Sequence, residues 1–184
     1  MAAPPVIHDH AVEGLFLRGL GERVTPALKA RLRAVGLDLD RRLAATYPRD
    51  MWLQVLRVTI EELYPGVPLA EAYRKLGEVV PSGIGKTLMG SAGLSVARLM
   101  GARRALPRIG DVFASANNFM RTKATLLSPT EVELWVSDTY SQPTYLQGAL
   151  EVATRLLNVK NVRVEILRVE DPACTYRIRW TEGS

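Results

Sequence analysis

A change of hydrophobic period near residue 118 constrains this chain more than any other feature. Before it, apolar side chains recur at helical spacing; after it, they alternate. Leu28, Leu32 and Val35 form the stripe of one helix, which Thr25 can cap, Pro26 can open and Gly36 can stop. From about 49 to 64, Trp52, Val55, Leu56, Thr59, Ile60 and Leu63 share a face, and Pro65-Gly66 ends the helix. Pro68 opens a third helix with Leu69, Ala72, Leu76 and Val79 inward, which Pro81-Ser82-Gly83 breaks or kinks. The pattern resumes over 84–100 through Ile84, Leu88, Ala92, Val96 and Leu99, and again over 103–117 with Leu106, Ile109 and Phe113 inward.

Beyond 118, Met120, Thr122, Ala124 and Leu126 alternate on one side of a strand. Val132, Leu134 and Val136 alternate against Glu131, Glu133 and Trp135 in the next, giving a hairpin with one dry and one wet face. A helix over 144–158 separates this hairpin from a second one, built on Val162-Val164-Ile166 and Tyr176-Ile178-Trp180. Segregated helices and strands predict an α+β fold: an N-terminal helical part followed by a β-β-α-β-β, mostly antiparallel sheet. Residues 1–10 read as a flexible tail and 11–182 as a single domain. Residues 12–20 read as a strand or extended arm, because their glycines disfavour a long helix.

Composition excludes more than it identifies. The one cysteine, Cys174, rules out an internal disulfide and multi-cysteine metal sites. The only histidines are His8 and His10, so a Ser-His-Asp triad or a histidine-rich metal centre has no residues in the body of the chain. His8-Asp9-His10 could hold a metal only if something rigid fixed its geometry, and no metal site is expected. The formal charge of +5 rests on 19 arginines and 5 lysines, scattered rather than clustered. Arg103, Arg104 and Arg108 form the densest basic patch, a candidate anion site. No aromatics interleave it, so nucleic acid is a disfavoured partner. No signal peptide and no transmembrane segment is visible, and a cytoplasmic location is expected.

Other apparent motifs have structural readings. Val80 to Thr87 (VPSGIGKT) lacks the first glycine and the preceding strand of a phosphate loop. Cys174 reads as a small buried thiol. Asn117-Asn118, at the seam between the last N-terminal helix and the first strand, can cap the helix or orient a ligand. Gly90-Ser91-Ala92-Gly93 places small residues mid-helix. Each glycine there costs about 1 kcal/mol relative to alanine, offset by a closely approaching element or by a bound ligand.

Several short motifs together resemble a known family. They are Glu13–Leu20 (EGLFLRGL), Ala34–Asp38 (AVGLD), Tyr47-Pro48, Trp52, Leu63–Pro65, Arg74–Gly77 (RKLG), Thr87–Gly90 (TLMG), Gly148–Leu150 and Tyr176–Trp180 (YRIRW). In this order, over residues 11–182, they resemble a heavily paralogous myxobacterial domain family of uncharacterised function. That family is distantly similar to the superfamily of haem nitric-oxide/oxygen-binding domains, vinyl-four-reductase domains and TRAPP vesicle-tethering subunits. The resemblance implies N-terminal helices followed by a mostly antiparallel sheet, often with a ligand cavity between them, and a binding or assembly module rather than an enzyme. The haem-binding members need an axial histidine and a Tyr-x-Ser-x-Arg motif. Here 103–117 has no histidine and Tyr140-Ser-Gln-Pro does not supply the motif, so no cofactor is expected, haem included. Cys174 does not match the acylated cysteine of the tethering subunits.

The leading expectation is a non-enzymatic, ligand-binding sensory or regulatory module for a small apolar molecule or lipid tail. Trp52, Leu88, Phe113, Asn117 and Trp135 are its candidate lining. The alternative is a homodimerising protein-interaction scaffold with no ligand, in which the small residues of 90–93 serve packing.

Overall fold

A computed structural model describes residues 3–183, with only the backbone at Leu88 and Met89. The N-terminal part is helical. Strand β1 (Val6–His8) leads into helix α1 (Asp9–Val12), which continues as wide π-helical turns over Glu13–Leu20. Then come α2 (Pro26–Ala34), β2 (Thr46–Pro48), α3 (Arg49–Leu63), α4 (Leu69–Ile84), α5 (Leu88–Met100), α6 (Ala102–Ala105) and, after one 3-10 turn, α7 (Ile109–Ala116). The C-terminal part is β3 (Thr122–Ser128), β4 (Glu131–Val136), α8 (Pro143–Arg155), β5 (Lys160–Glu170) and β6 (Ala173–Thr181). The last four strands form one antiparallel sheet in the order β3-β4-β6-β5, while β1 and β2 pair separately. The expected α+β order is thus present.

The caps follow the residue chemistry. Thr25 accepts from the Leu28 N–H at 3.2 Å, and Gly36 takes φ +100° past the end of α2. Thr87 caps α5 by accepting from Gly90 N at 3.0 Å, which assigns the VPSGIGKT segment to a helix end and a helix start. In the sheet, Val132, Leu134, Val136, Tyr176, Ile178 and Trp180 turn one dry face toward α8. The Tyr176 hydroxyl and Gln147 amide tie that face to the helix by donating to Pro143 O and Val164 O, each at 2.8 Å. On the other face Glu131 pairs with Arg177 and Arg179, a wet ladder.

Helix α4 is the centre of the packing, and glycines set its distances. A Cβ on Gly77 would lie 1.9 Å from the Tyr145 carbonyl oxygen, and one on Gly148 would lie 2.2 Å from that of Arg74. The α4 and α8 backbones therefore nearly touch. On the other side of α4, a Cβ on Gly83 would lie 1.9 Å from the Gly14 carbonyl oxygen. A second contact joins the two parts. Arg49, opening α3, makes a two-pronged ion pair with Asp138, Nε–Oδ2 at 2.8 Å and Nη2–Oδ1 at 3.0 Å, and its guanidinium lies over the Phe119 ring. Asp138 holds the Arg49 pKa above its ordinary value.

Several expectations are corrected. Residues 6–10 are not a loose tail: β1 pairs with β2, Ile7 is buried, and Val6 N–H donates to Asn118 Oδ1. Residues 12–20 are helical, not extended. Their Gly14 and Gly19 sit where Ile84 and Val79 leave no room for a side chain, so contact with α4 offsets the glycine penalty. Pro81 stays inside α4. Leu69, Val96 and Leu99, expected inward, are 59 %, 56 % and 89 % exposed. Leu126 is exposed at the edge strand, and Met120 is buried ahead of the strand rather than within it.

Gly77→Ala is expected to destabilise the fold by about 1–3 kcal/mol or more through overpacking against the α8 backbone. Gly93→Ala, where a Cβ meets nothing within 4 Å, should instead stabilise it by up to about 1 kcal/mol. Urea unfolding midpoints of the two variants check the contrast. Asp138→Asn leaves Arg49 without this carboxylate and should cost about 1.5–3 kcal/mol in the same assay.

Candidate functional site

Between the helical part and α8 lies a partly open cavity of about 420 Å³. That volume lies in the usual range for small-molecule sites. Its walls come from α1, α3, the end of α4, α5, the 3-10 turn and α7, and α8. Ile84, Leu94, Ala97, Leu106, Leu146 and Leu150 give it a mainly apolar surface. The wall formed by α5 and α7 is the thinly held one. Among the described side chains neither helix has a fully buried residue.

The glycines of α5 divide between the two roles open to them. A Cβ on Gly90 would lie 1.9 Å from the Ile84 carbonyl oxygen, so the preceding turn requires that glycine. Gly93 borders the cavity, with open space where its side chain would be.

Of the sequence candidates, Trp52, Phe113 and Asn117 line the cavity. Trp52 is buried and packs edge-on to Phe16, ring centroids 6.3 Å apart. Asn117 ends α7 and accepts from Phe119 N at 3.2 Å and Met120 N at 2.7 Å, so its amide holds the turn into β3. Trp135 is not part of the lining. It lies on the wet side of β4 with Glu131 and Glu133, opposite Lys123 and Thr175. The Leu88 side chain lies outside the described residues. Arg103, Arg104 and Arg108 are not part of the lining either. All three are exposed.

Sequence reasoning missed His10, Tyr140 and Tyr145 as lining residues. His10 enters the wall because β1 pairing places α1 there. Its Nε2 is buried without a partner, its Nδ1 lies 3.7 Å from the Asp9 carboxylate, and its ring stacks on His8. Tyr140 has φ +58° in the turn after β4, where its N–H donates to Asp138 Oδ1 at 2.8 Å. Tyr140 and Tyr145 meet edge to face at 5.8 Å, and burial pushes both phenols well above their ordinary pKa. A signal for them exists in the sequence: both are large aromatics, Tyr145 in the first turn of α8 and Tyr140 in the turn that leads into it.

The lining contains no lysine or arginine, and its carboxylate is Asp111. Among the described residues no three His, Cys, Asp or Glu side chains gather as a metal site. Cys174 is buried within β6, its thiol pushed up by desolvation, and takes no part. No helix among the described residues is long and apolar enough to cross a membrane.

A search of the curated proteins finds no match. Solved structures do match along nearly the whole chain. An H-NOX protein from S. oneidensis in the Fe(II)NO state superposes with TM-score 0.74 at 12 % identity, covering 96 % of this chain and 100 % of that one. An unliganded Fe(II) H-NOX mutant from K. algicida gives 0.65 at 13 % identity, covering 94 % and 95 %. An oxygen-binding H-NOX domain related to soluble guanylate cyclases gives 0.62 at 14 %, covering 95 % and 93 %. At such identities the likeness is one of fold, and it agrees with the α+β architecture described above. A family model described as "Protein of unknown function (DUF2378)" matches residues 6–181, and the chain belongs to that family.

Proposed function

We propose that this chain is a single-domain, non-enzymatic module that binds a small, mainly apolar organic molecule between its helical part and α8 and reports occupancy through the α5–α7 wall. The observation that carries this is the 420 Å³ apolar cavity, closed on one side by two helices without a fully buried side chain among those described. An apolar occupant would supply the contacts that α5 and α7 lack, so binding and ordering of that wall are coupled. The likeness in fold to H-NOX structures supports a ligand-holding role. Among the described lining residues the Thr87 and Ser115 hydroxyls are committed to hydrogen bonds with Ile84 O and Val112 O, which supports binding rather than turnover. A cytoplasmic place is part of this reading.

Haem does not fit this lining. The described lining offers a porphyrin's two carboxylates no lysine or arginine, 102–116 carries no imidazole, and the imidazole that does line the cavity, His10, stands on α1 beside the Asp9 carboxylate. The ligand is therefore proposed to be uncharged and organic.

A second reading has its own observation. Val96 and Leu99 form an exposed apolar edge on α5, suited to a protein partner or a second copy of the chain. The small-residue stretch 90–93 does not support it, because Gly90 packs within the chain and Gly93 borders the cavity.

Mass spectrometry of the purified protein under native and then denaturing conditions is expected to show a small mass lost on denaturation. A clean protein mass in both, with a dimer under native conditions, would favour the scaffold. Gly93→Leu should fold normally, narrow the cavity and weaken binding of an apolar probe such as 2-ethylnaphthalene at least tenfold, read by quenching of tryptophan fluorescence. Hemin added to the protein should keep the broad absorption of unbound haem, whereas a sharp, stoichiometric Soret band would overturn the uncharged-ligand reading.

A further inference from the structure

Polar groups in an apolar wall decide which ligand a cavity holds, because each one left unpaired disfavours any occupant that cannot pair it. Three polar side chains of this lining are already paired inside the chain. Asn117 Oδ1 holds the turn into β3, Thr87 Oγ1 donates to Ile84 O and accepts from Gly90 N, and Ser115 Oγ donates to Val112 O.

Three donors are different. Trp52 is 3 % exposed, and its buried Nε1–H meets no acceptor in hydrogen-bonding geometry. It lies beside the Tyr140 hydroxyl, near enough to favour the phenolate slightly against the larger effect of burial. Tyr140 in turn stands edge to face with Tyr145. Both tyrosines are buried and belong to the cavity lining, and desolvation raises the Tyr145 pKa. Both phenols therefore stay protonated, and remain donors, throughout the physiological range. His10 Nε2, unpaired in the same lining, can donate or accept and does not discriminate between ligands. Without a lysine or arginine, the lining offers an anionic head group no counter-charge.

We infer that Trp52, Tyr140 and Tyr145 form a donor cluster that selects an apolar ligand carrying one neutral carbonyl-type oxygen, such as a ketone. This rests on the ligand-binding reading above and adds the chemical class of the ligand. The carbonyl oxygen has two lone pairs, so it can accept from two of these donors while its hydrocarbon body fills the apolar remainder.

A matched pair of probes tests it on the full chain. 2-Acetylnaphthalene carries the acceptor, and 2-ethylnaphthalene has nearly the same shape without it. The ketone is expected to bind at least tenfold tighter, and its bound C=O stretch to fall below its value in hexane. Tyr140→Phe and Tyr145→Phe keep the rings, and together they should shrink the preference to less than threefold, by weakening the ketone and by tightening 2-ethylnaphthalene, which no longer leaves those two hydroxyls unpaired. Equal affinity of the two probes, or a bound carbonyl stretch at the hexane value, overturns the donor cluster while leaving the cavity a general apolar site. Failure of both probes to bind overturns the ligand-binding reading itself, and the inference with it. Should the phenylalanine variants not fold, the infrared shift and the affinity ratio in the unaltered protein still decide.

Discussion

The backbone of α4 lies against two neighbours at once, and the rest of the molecule is arranged around that. At Gly77 and Gly148 it meets α8, and at Gly83 it meets the π-helical turns that follow α1, each time with a carbonyl where a side chain would be. Contacts this close bring van der Waals attraction from main-chain atoms that ordinary helix packing keeps 8–10 Å apart axis to axis. They fix α8 relative to the N-terminal helices, and α8 carries the sheet. Arg49 and Asp138 close the same arrangement from the other end, joining the start of α3 to the turn after β4.

That rigid frame leaves one wall unfinished. α3, α4 and α8 present packed, buried side chains, whereas α5 and α7 are helices attached mainly through half-buried ones such as Leu94, Ala97, Ile109 and Phe113. Local opening free energy follows the number of buried apolar contacts, so the α5–α7 wall belongs to the low end of the stability range. The cavity is therefore a boundary between a stable frame and a compliant cover, an arrangement in which occupancy changes the cover more than the frame.

The periodicity of the chain makes most of this legible. The stripes of α2, α3 and α8 and the alternation of β4 and β6 are dictated by which residues are apolar, and the structure agrees with them. What is not legible is contact at a distance. Gly14 and Gly19 look like helix breakers in isolation, and only the presence of Ile84 and Val79 opposite them makes a helix the better choice. His8-Asp9-His10 looks like tail until β1 pairs with β2 and the Asn118 amide holds Val6. Val96 and Leu99 fit a helical stripe, yet the cavity-facing side of α5 is the one with Gly93 and Ala97, because small residues border the space. Trp52, Phe113 and Asn117 can be placed at the helix–sheet seam from sequence. Trp135 cannot: its alternation against Val132, Leu134 and Val136 already puts it on the opposite face, with Glu131 and Glu133.

A shared fold constrains where a cavity lies, and the side chains in it decide what enters. Here the frame supplies the space, and the lining is mainly apolar. The 102–116 segment beside the cavity has no imidazole, the described lining has no lysine or arginine for carboxylates, and its unpaired polar atoms are the Trp52 indole N–H and the His10 Nε2. On the proposed reading such a lining favours an uncharged occupant with a single acceptor over a charged one. The compliant cover adds the second half of the argument. On the proposed reading, an occupant that completes the apolar core beneath α5 and α7 would order a surface that exposes Val96, Leu99 and Val112. Ligand chemistry at the proposed donor cluster and the shape of the outer surface would thereby be linked through one thin layer of helix.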